Sequence, residues 1–167
     1  MNTAFILHFV SAVRNVFSTM AKTTIACGKP HVKKDGAPAF DVSGIIGFSG
    51  ELTGAIILTL PTQVATELVA RFSGSRMDVN HPDFADALGE LVNMVAGSAK
   101  SQMDRLNVSI SCPTVVLGKD YRVLQGRTQP IVVVPCQCDA GVFNTEIALR
   151  ANEGAARNTE QQETQAA

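Results

Sequence analysis

The sequence lacks a marked excess of charge of either sign. Its 14 basic and 15 acidic residues leave a formal net charge of −1 at pH 7. Nothing in that balance favours binding to nucleic acid or to an anionic membrane surface. The longest apolar runs, such as Ile131 to Val134, are far too short to span a bilayer. We therefore expect no nucleic-acid partner and no membrane association.

Cysteine is scarce, and its spacing excludes the usual cysteine sites. The chain has 4 cysteines, and Cys136-Gln137-Cys138 lacks the C-x-x-C spacing of a zinc knuckle or redox motif. No extracellular disulfide framework is present, which favours the cytoplasm. The apolar segment 1–10 lacks the basic flank of a signal peptide and is predicted to be a core helix. We expect the thiols to be buried or incidental.

Familiar catalytic motifs are also missing. The sequence contains no phosphate-binding G-x-x-x-x-G-K-[ST] loop, no G-x-G-x-x-G and no H-E-x-x-H. It also lacks the G-x-S-x-G nucleophile elbow. Asp83, Asp86 and Glu90 could form an acid/base or cation site, but solvated acids on a helix are far commoner, and the first two favour a helix N-terminus. The 167 residues, 46% hydrophobic, do suffice for one folded core.

Hydrophobic periodicity predicts helices alternating with strand hairpins. Helices are predicted at 4–21, 62–72 and 82–106, and strands at 42–48, 52–60, 107–112, 114–117, 130–138 and 142–149. Residues 1–150 should form one domain, and the polar segment 151–167 should be a disordered tail.

The order of the predicted elements repeats once. A helix, a short strand ending in cysteine and a hairpin occur twice, offset by about 85 residues. The two short strands are Ile25 to Cys27 and Ile110 to Cys112. This duplication predicts a single pseudo-twofold α/β domain of the α+β type, with a mostly antiparallel sheet and long helices packed on it.

The third predicted helix carries the most informative residues. Glu90 and Asn93 stand three residues apart and therefore lie on one face, about one turn apart. Gly97 shares that face, although glycine costs ~1 kcal/mol relative to alanine in a helix interior. A carboxylate can bind a partner's cation, and an amide can hold a water molecule. The face thus favours contact with a partner over helix stability. On spacing alone, two ordinary solvent-facing residues are the alternative.

These residues resemble a known signature. The segment from Asp86 to Gly97, with its E-x-x-N pattern and trailing glycine, resembles that of the CheC/CheX phosphatases of bacterial chemotaxis. The glycine-punctuated segment 43–54 is similar to that family's hairpin, and segment 113–118 to its proline-led strand. The resemblance covers roughly residues 4–150, in order.

A single signature resembles the CheX type rather than the CheC type, which has one in each half. The first glutamate of the chain is Glu51, so the first helix has no E-x-x-N. Asn15 is there, but Ala12 occupies the position three before it.

The resemblance implies a phosphatase for the aspartyl phosphate of a CheY-like response regulator. Asn93 would orient an in-line water, and Glu90 would pair with a lysine of the regulator. Asp86, Ala96 and Gly97 would contact the partner or leave room for it. No cofactor of the chain's own is implied, because the regulator supplies Mg²⁺.

Two other functions are compatible with the same pattern. FliM and FliY share the fold, so one alternative is a non-catalytic regulator-binding or flagellar-switch-like module. Another is a ligand-binding α/β domain. A small open sheet leaves unpaired edges, and together with the resemblance this predicts a homodimer joined through strand edges or near residues 107–130.

Overall fold

A computed structural model describes residues 3–34, 39–119, 121 and 130–152. In this part of the chain there are three helices: α1 Thr3–Met20, α2 Thr62–Ser73 and α3 Phe84–Ser101. The eight strands there are β1 Ala26–Cys27, β2 His31–Val32, β3 Val42–Gly50, β4 Leu52–Leu60, β5 Val108–Ile110, β6 Thr114–Leu117, β7 Val132–Cys138 and β8 Gly141–Ala151. None of the described helices is long and apolar enough to cross a membrane. Apart from residues 151 and 152, the predicted tail lies outside the described residues.

The third helix is shorter than the sequence predicts. It ends at Ser101 rather than near residue 106. Beyond it, the N–H of Met103 donates to the carbonyl of Lys100 at 2.9 Å, and that of Leu106 to Met103 at 3.0 Å. These bonds between residues three apart form tight turns, which break the α-helical spacing. Met103 still reaches the core, so the apolar period continues past the end of the helix.

The order of the strands confirms the predicted duplication. The sheet runs β1-β7-β8-β4-β3-β5, with β2 also paired to β7 and β6 also paired to β3. Every pairing is antiparallel. The order is symmetric about the contact between β8 and β4. The short strands of the first half, β1 and β2, pair with the hairpin of the second half, and β5 and β6 of the second half pair with the hairpin of the first. The outer strands are the edges through which a homodimer is predicted to form.

One face of the sheet carries the helices and most of the hydrophobic core. Phe9 of α1 meets Phe48 of β3 edge to face, with ring centroids 5.6 Å apart. Further along α1, Phe17 stacks on Phe143 of β8 at 5.5 Å. Successive strand residues point to opposite faces, so Gly44 and Phe48 share this face. Large buried rings therefore anchor α1 across both halves of the sheet.

The opposite face of the sheet buries polar groups. Lys33 Nζ donates to both carboxylate oxygens of Glu146, at 2.7 and 2.8 Å, and Glu146 is 2% exposed. The Tyr121 hydroxyl donates to Ser43 Oγ, and burial raises the pKa of Tyr121. A buried charge needs its partner, and Lys33 supplies the one for Glu146.

Replacing Gly44 with alanine should destabilise the fold by about 1–3 kcal/mol. An added Cβ would overlap Cγ2 of Val92, where α3 lies against β3. The matched control is Gly47→Ala on the other face of the same strand, where the nearest atom to an added Cβ is 3.4 Å away. Urea unfolding should show a loss for Gly44→Ala, partly recovered by adding Val92→Ala. Equal stability of the two alanine variants would contradict this packing.

Candidate functional site

The inner side of α3 is fixed by the core. The apolar positions predicted to face inward are all buried: Phe84, Leu88, Leu91, Val95 and Ala99. The helix packs against α1, α2 and β3. Its outer side therefore has a defined orientation, which a catalytic or docking group requires.

A contact that sequence reasoning missed sets the position of α3 beside the sheet edge. An added Cβ on Gly89 would lie 3.1 Å from Cγ of Pro113. The glycine thus lets the helix approach the proline that precedes β6. Both residues belong to the segments that carry the family resemblance, but their contact spans two elements and has no local signal.

Glu90 and Asn93 lie together on the outer side of α3. Glu90 is exposed and Asn93 is partly exposed. The Asn93 amide Nδ2 donates to Glu90 Oε2 at 3.5 Å, a long and weak hydrogen bond. The amide oxygen of Asn93 has no side-chain partner within the residues described. The pair can therefore offer an acceptor and a donor to a water molecule, and a carboxylate to a cation.

The surface around the pair is open. Gly97 lies one turn beyond Asn93, and an added Cβ there would meet nothing within 4 Å. The fold itself does not require a glycine at this position. Asp86 is exposed in the first turn of α3, where a carboxylate also favours the helix dipole. Asp86, Glu90, Asn93 and Gly97 thus form one outward face, which we call the outer face of α3.

The prediction for Ala96 is wrong as a contact with the partner. Its side chain is fully buried, at 0% exposure. The reason is that α3 has other elements on several sides, so its buried sector is wider than a single stripe. Ala12 of α1 is buried in the same way, while Asn15 is exposed. No second pair equivalent to Glu90 and Asn93 arises from these two residues.

The other chemically reactive groups are not part of the outer face of α3. Cys112 is exposed, Cys27 and Cys138 are partly exposed, and Cys136 is buried. Arg71 joins Glu67 and Asp139 through its guanidinium, which lowers the pKa of the Asp139 carboxyl. In the described part of the chain, no group of three or more metal-ligating side chains comes together.

The sequence matches one protein family over most of its sheet and the whole of α3. The family model of the chemotaxis phosphatase CheX matches residues 42–137. The chain belongs to this family. The matched range includes the outer face of α3 and Pro113. Among curated proteins, no sequence matches significantly.

Solved CheX-like structures share the whole architecture. A CheC-like superfamily protein from Shewanella sp. PV-4 is 30% identical, with a TM-score of 0.80, covering 90% of this chain and 100% of that one. The chemotaxis protein CheX from Desulfovibrio desulfuricans is 28% identical, also with a TM-score of 0.80, covering 89% and 99%. In fold, the chain also resembles the CheX–CheY–BeF3–Mg²⁺ complex from Borrelia burgdorferi at 21% identity, with a TM-score of 0.72, covering 87% and 97%.

Proposed function

We propose that this chain is a phosphatase for a CheY-like response regulator. It would stimulate hydrolysis of the regulator's aspartyl phosphate through the outer face of α3. The observation that carries the proposal is the exposed Glu90–Asn93 pair on a rigidly packed helix, in a chain of the CheX family. A member of that fold solved together with CheY and BeF3 supports the choice of partner.

Asn93 supplies position rather than acid or base chemistry. The oxygen of a water molecule attacks phosphorus as the bond from phosphorus to the aspartate oxygen breaks. The products are the free aspartate carboxylate and inorganic phosphate, which takes up the oxygen and both protons of the water. Attack requires the incoming and leaving oxygens in line. An amide can accept one hydrogen bond from the water and donate another to a phosphoryl oxygen.

Glu90 supplies the docking contact. The regulator carries a lysine near its phosphoryl group, and Glu90 would form an ion pair with it. The regulator's bound Mg²⁺ balances charge on the phosphoryl oxygens, so the chain needs no metal of its own. Glu90 is exposed, and within the described residues its side chain makes only the weak bond to Asn93. Breaking that bond costs little, so docking frees the amide for the water.

Gly97 leaves room for the partner's backbone. Replacing it with alanine should raise the stability of the free chain by about 0.5–1 kcal/mol, because alanine is the better helix former. The same change should weaken binding to the activated regulator at least about fivefold, because a methyl group enters a close contact. Thermal unfolding and a binding titration measure the two effects.

The control for Gly97 is Gly89→Ala, which makes the same substitution on the same helix. There the new Cβ would press on Pro113, so the chain should gain no stability. If Gly97→Ala binds the regulator as tightly as the natural sequence, Gly97 has no role in docking.

A multiple-turnover assay separates a phosphatase from a binding module. A receiver domain is phosphorylated with acetyl phosphate and mixed with a much smaller amount of this chain. Phosphate release should exceed the receiver's own rate, in proportion to the amount of chain added. A module that only binds, including a flagellar-switch-like one, would leave the bulk rate unchanged.

A further inference from the structure

Two cysteines lie directly opposite each other at the β1 edge of the sheet. Cys27 of β1 pairs in register with Cys136 of β7, and their Sγ atoms are 3.9 Å apart. The neighbouring N–H of Gly28 donates to the carbonyl of Pro135 at 2.8 Å. Opposed pairs alternate along antiparallel strands, so the cysteines occupy a non-hydrogen-bonded pair, whose Cα atoms are ~4.5 Å apart.

We propose that Cys27 and Cys136 form a redox-active dithiol, which a hydroperoxide oxidises to a disulfide. Cys27 is the attacking thiol and Cys136 the resolving thiol. The proposal does not depend on the phosphatase function, because it uses neither Glu90 nor Asn93.

The surroundings make the two thiols unequal. The hydrogen bond between the Cys27 and Cys136 sulfurs, with the guanidinium of Arg14 as a smaller contribution, lowers the pKa of Cys27 to about 6. The hydrogen bond to Cys27 and burial raise the pKa of Cys136. Cys27 is also the more accessible of the two, since Cys136 is 2% exposed. A partly accessible thiolate is the form that attacks peroxides.

The reaction balances with one equivalent of hydrogen peroxide. The Cys27 thiolate attacks one peroxide oxygen, the O–O bond breaks, and a sulfenic acid and one water are formed after protonation. Cys136, once its proton is lost, attacks the Cys27 sulfur and displaces the hydroxyl as a second water. The two sulfurs together lose two electrons, and the peroxide gains them. Two molecules of a low-molecular-weight thiol return the protein to the dithiol by exchange and leave as their own disulfide.

Little movement is needed to close the bond. The Cα spacing typical of a non-hydrogen-bonded pair, ~4.5 Å, falls within the ~4.4–6.8 Å that disulfides span. The sulfurs must approach to ~2.05 Å, which side-chain rotation achieves. Cys138 is not an equivalent partner, because it opposes Gly141 in the register, and its Sγ lies 3.6 Å from the carbonyl oxygen of that residue.

The disulfide would link β1 covalently to β7, close to where α1 packs on the sheet. Phe143, which opposes Cys136 on β8, stacks on Phe17 of α1. The bond joins positions 109 residues apart, so it constrains a long segment of the unfolded chain. Oxidation should therefore raise Tm by about 5–15 °C.

The test uses the full chain, reduced and then treated with one equivalent of hydrogen peroxide. Peptide mapping without reductant should recover a Cys27–Cys136 linkage. Thermal unfolding of the same sample should show the rise in Tm. Cys136→Ser should stop at a Cys27 sulfenic acid that dimedone traps, and Cys27→Ser should give neither product. The controls Cys112→Ser and Cys138→Ser should still form the linkage. A linkage that involves Cys112 or Cys138 instead would overturn the proposal.

The pH dependence of alkylation gives an independent check that does not need oxidation. Only the thiolate reacts with iodoacetamide, so the rate at Cys27 should rise with pH through about 6 and level off above pH 7. Cys112 in the same sample provides the comparison. If Cys27 reacts no faster than Cys112 at pH 6.5, or if peroxide leaves Cys27 unmodified, the dithiol assignment is wrong.

Discussion

Replacing Asn93 with alanine should lower the stimulated rate of dephosphorylation by about 10²–10³-fold, the usual cost of losing one preorganised polar group. Binding to the regulator should stay nearly unchanged. The in-line water is needed only on the way to the transition state, so losing its holder lowers turnover rather than affinity. Phosphate release from a phosphorylated receiver measures the first quantity, and titration with a beryllofluoride-activated receiver measures the second.

Two further variants sharpen this prediction. Asn93→Gln keeps the amide but moves it outward by one methylene, and a displacement of about 1 Å can cost 10²-fold, so it should not restore the rate. Asn15→Ala removes an exposed asparagine from α1 and should have no effect. If Asn93→Ala keeps the natural rate, the chain is better described as a binding module.

Replacing Glu90 with alanine should weaken binding as well as turnover. Removing one partner of a charge pair that docking buries costs about 2–5 kcal/mol, or roughly 30-fold or more in affinity. The dissociation constant for the beryllofluoride-activated receiver, measured at two salt concentrations, reports this loss. Because an interfacial ion pair is partly screened by salt, the variant should also show a weaker dependence of affinity on salt.

The matched control for Glu90 is Asp104→Ala. Asp104 is an exposed acid beyond the end of α3, so the change removes one negative charge without altering the outer face of α3. It should leave both affinity and rate within about twofold, since solvent screens an exposed charge. An equal loss in the two variants would assign the effect to net charge and not to a specific contact.

The features that the sequence predicted depend on residues close together in the chain or on the order of elements along it. The inner residues of α3 recur with the helical period, and Glu90 and Asn93 are close in sequence, so one helix determines their common face. The duplication was visible because each half repeats the same order of elements. The exchange of β1 and β5 between the halves had no such signal, although it decides which residues become neighbours.

What the sequence missed depends on contacts between distant elements. The family resemblance implied a partner contact at Ala96, but α3 packs against α1, α2 and the sheet, and Ala96 is buried among them. The end of α3 was misplaced because Met103 continues the apolar pattern through non-helical turns. Cys27 and Cys136 are 109 positions apart, and only the register of β1 on β7 brings them together.

One saturation experiment tests most directly the proposal that Asn93 positions the water and Glu90 docks the regulator. The dephosphorylation rate of a phosphorylated receiver is followed against increasing amounts of the natural chain, Asn93→Ala and Glu90→Ala. Asn93→Ala should lower the maximal rate about 10²–10³-fold at an unchanged half-saturating concentration. Glu90→Ala should raise the half-saturating concentration as well. An unchanged maximal rate for Asn93→Ala, reached only at higher concentration, would make Asn93 a docking contact and contradict the water-positioning mechanism.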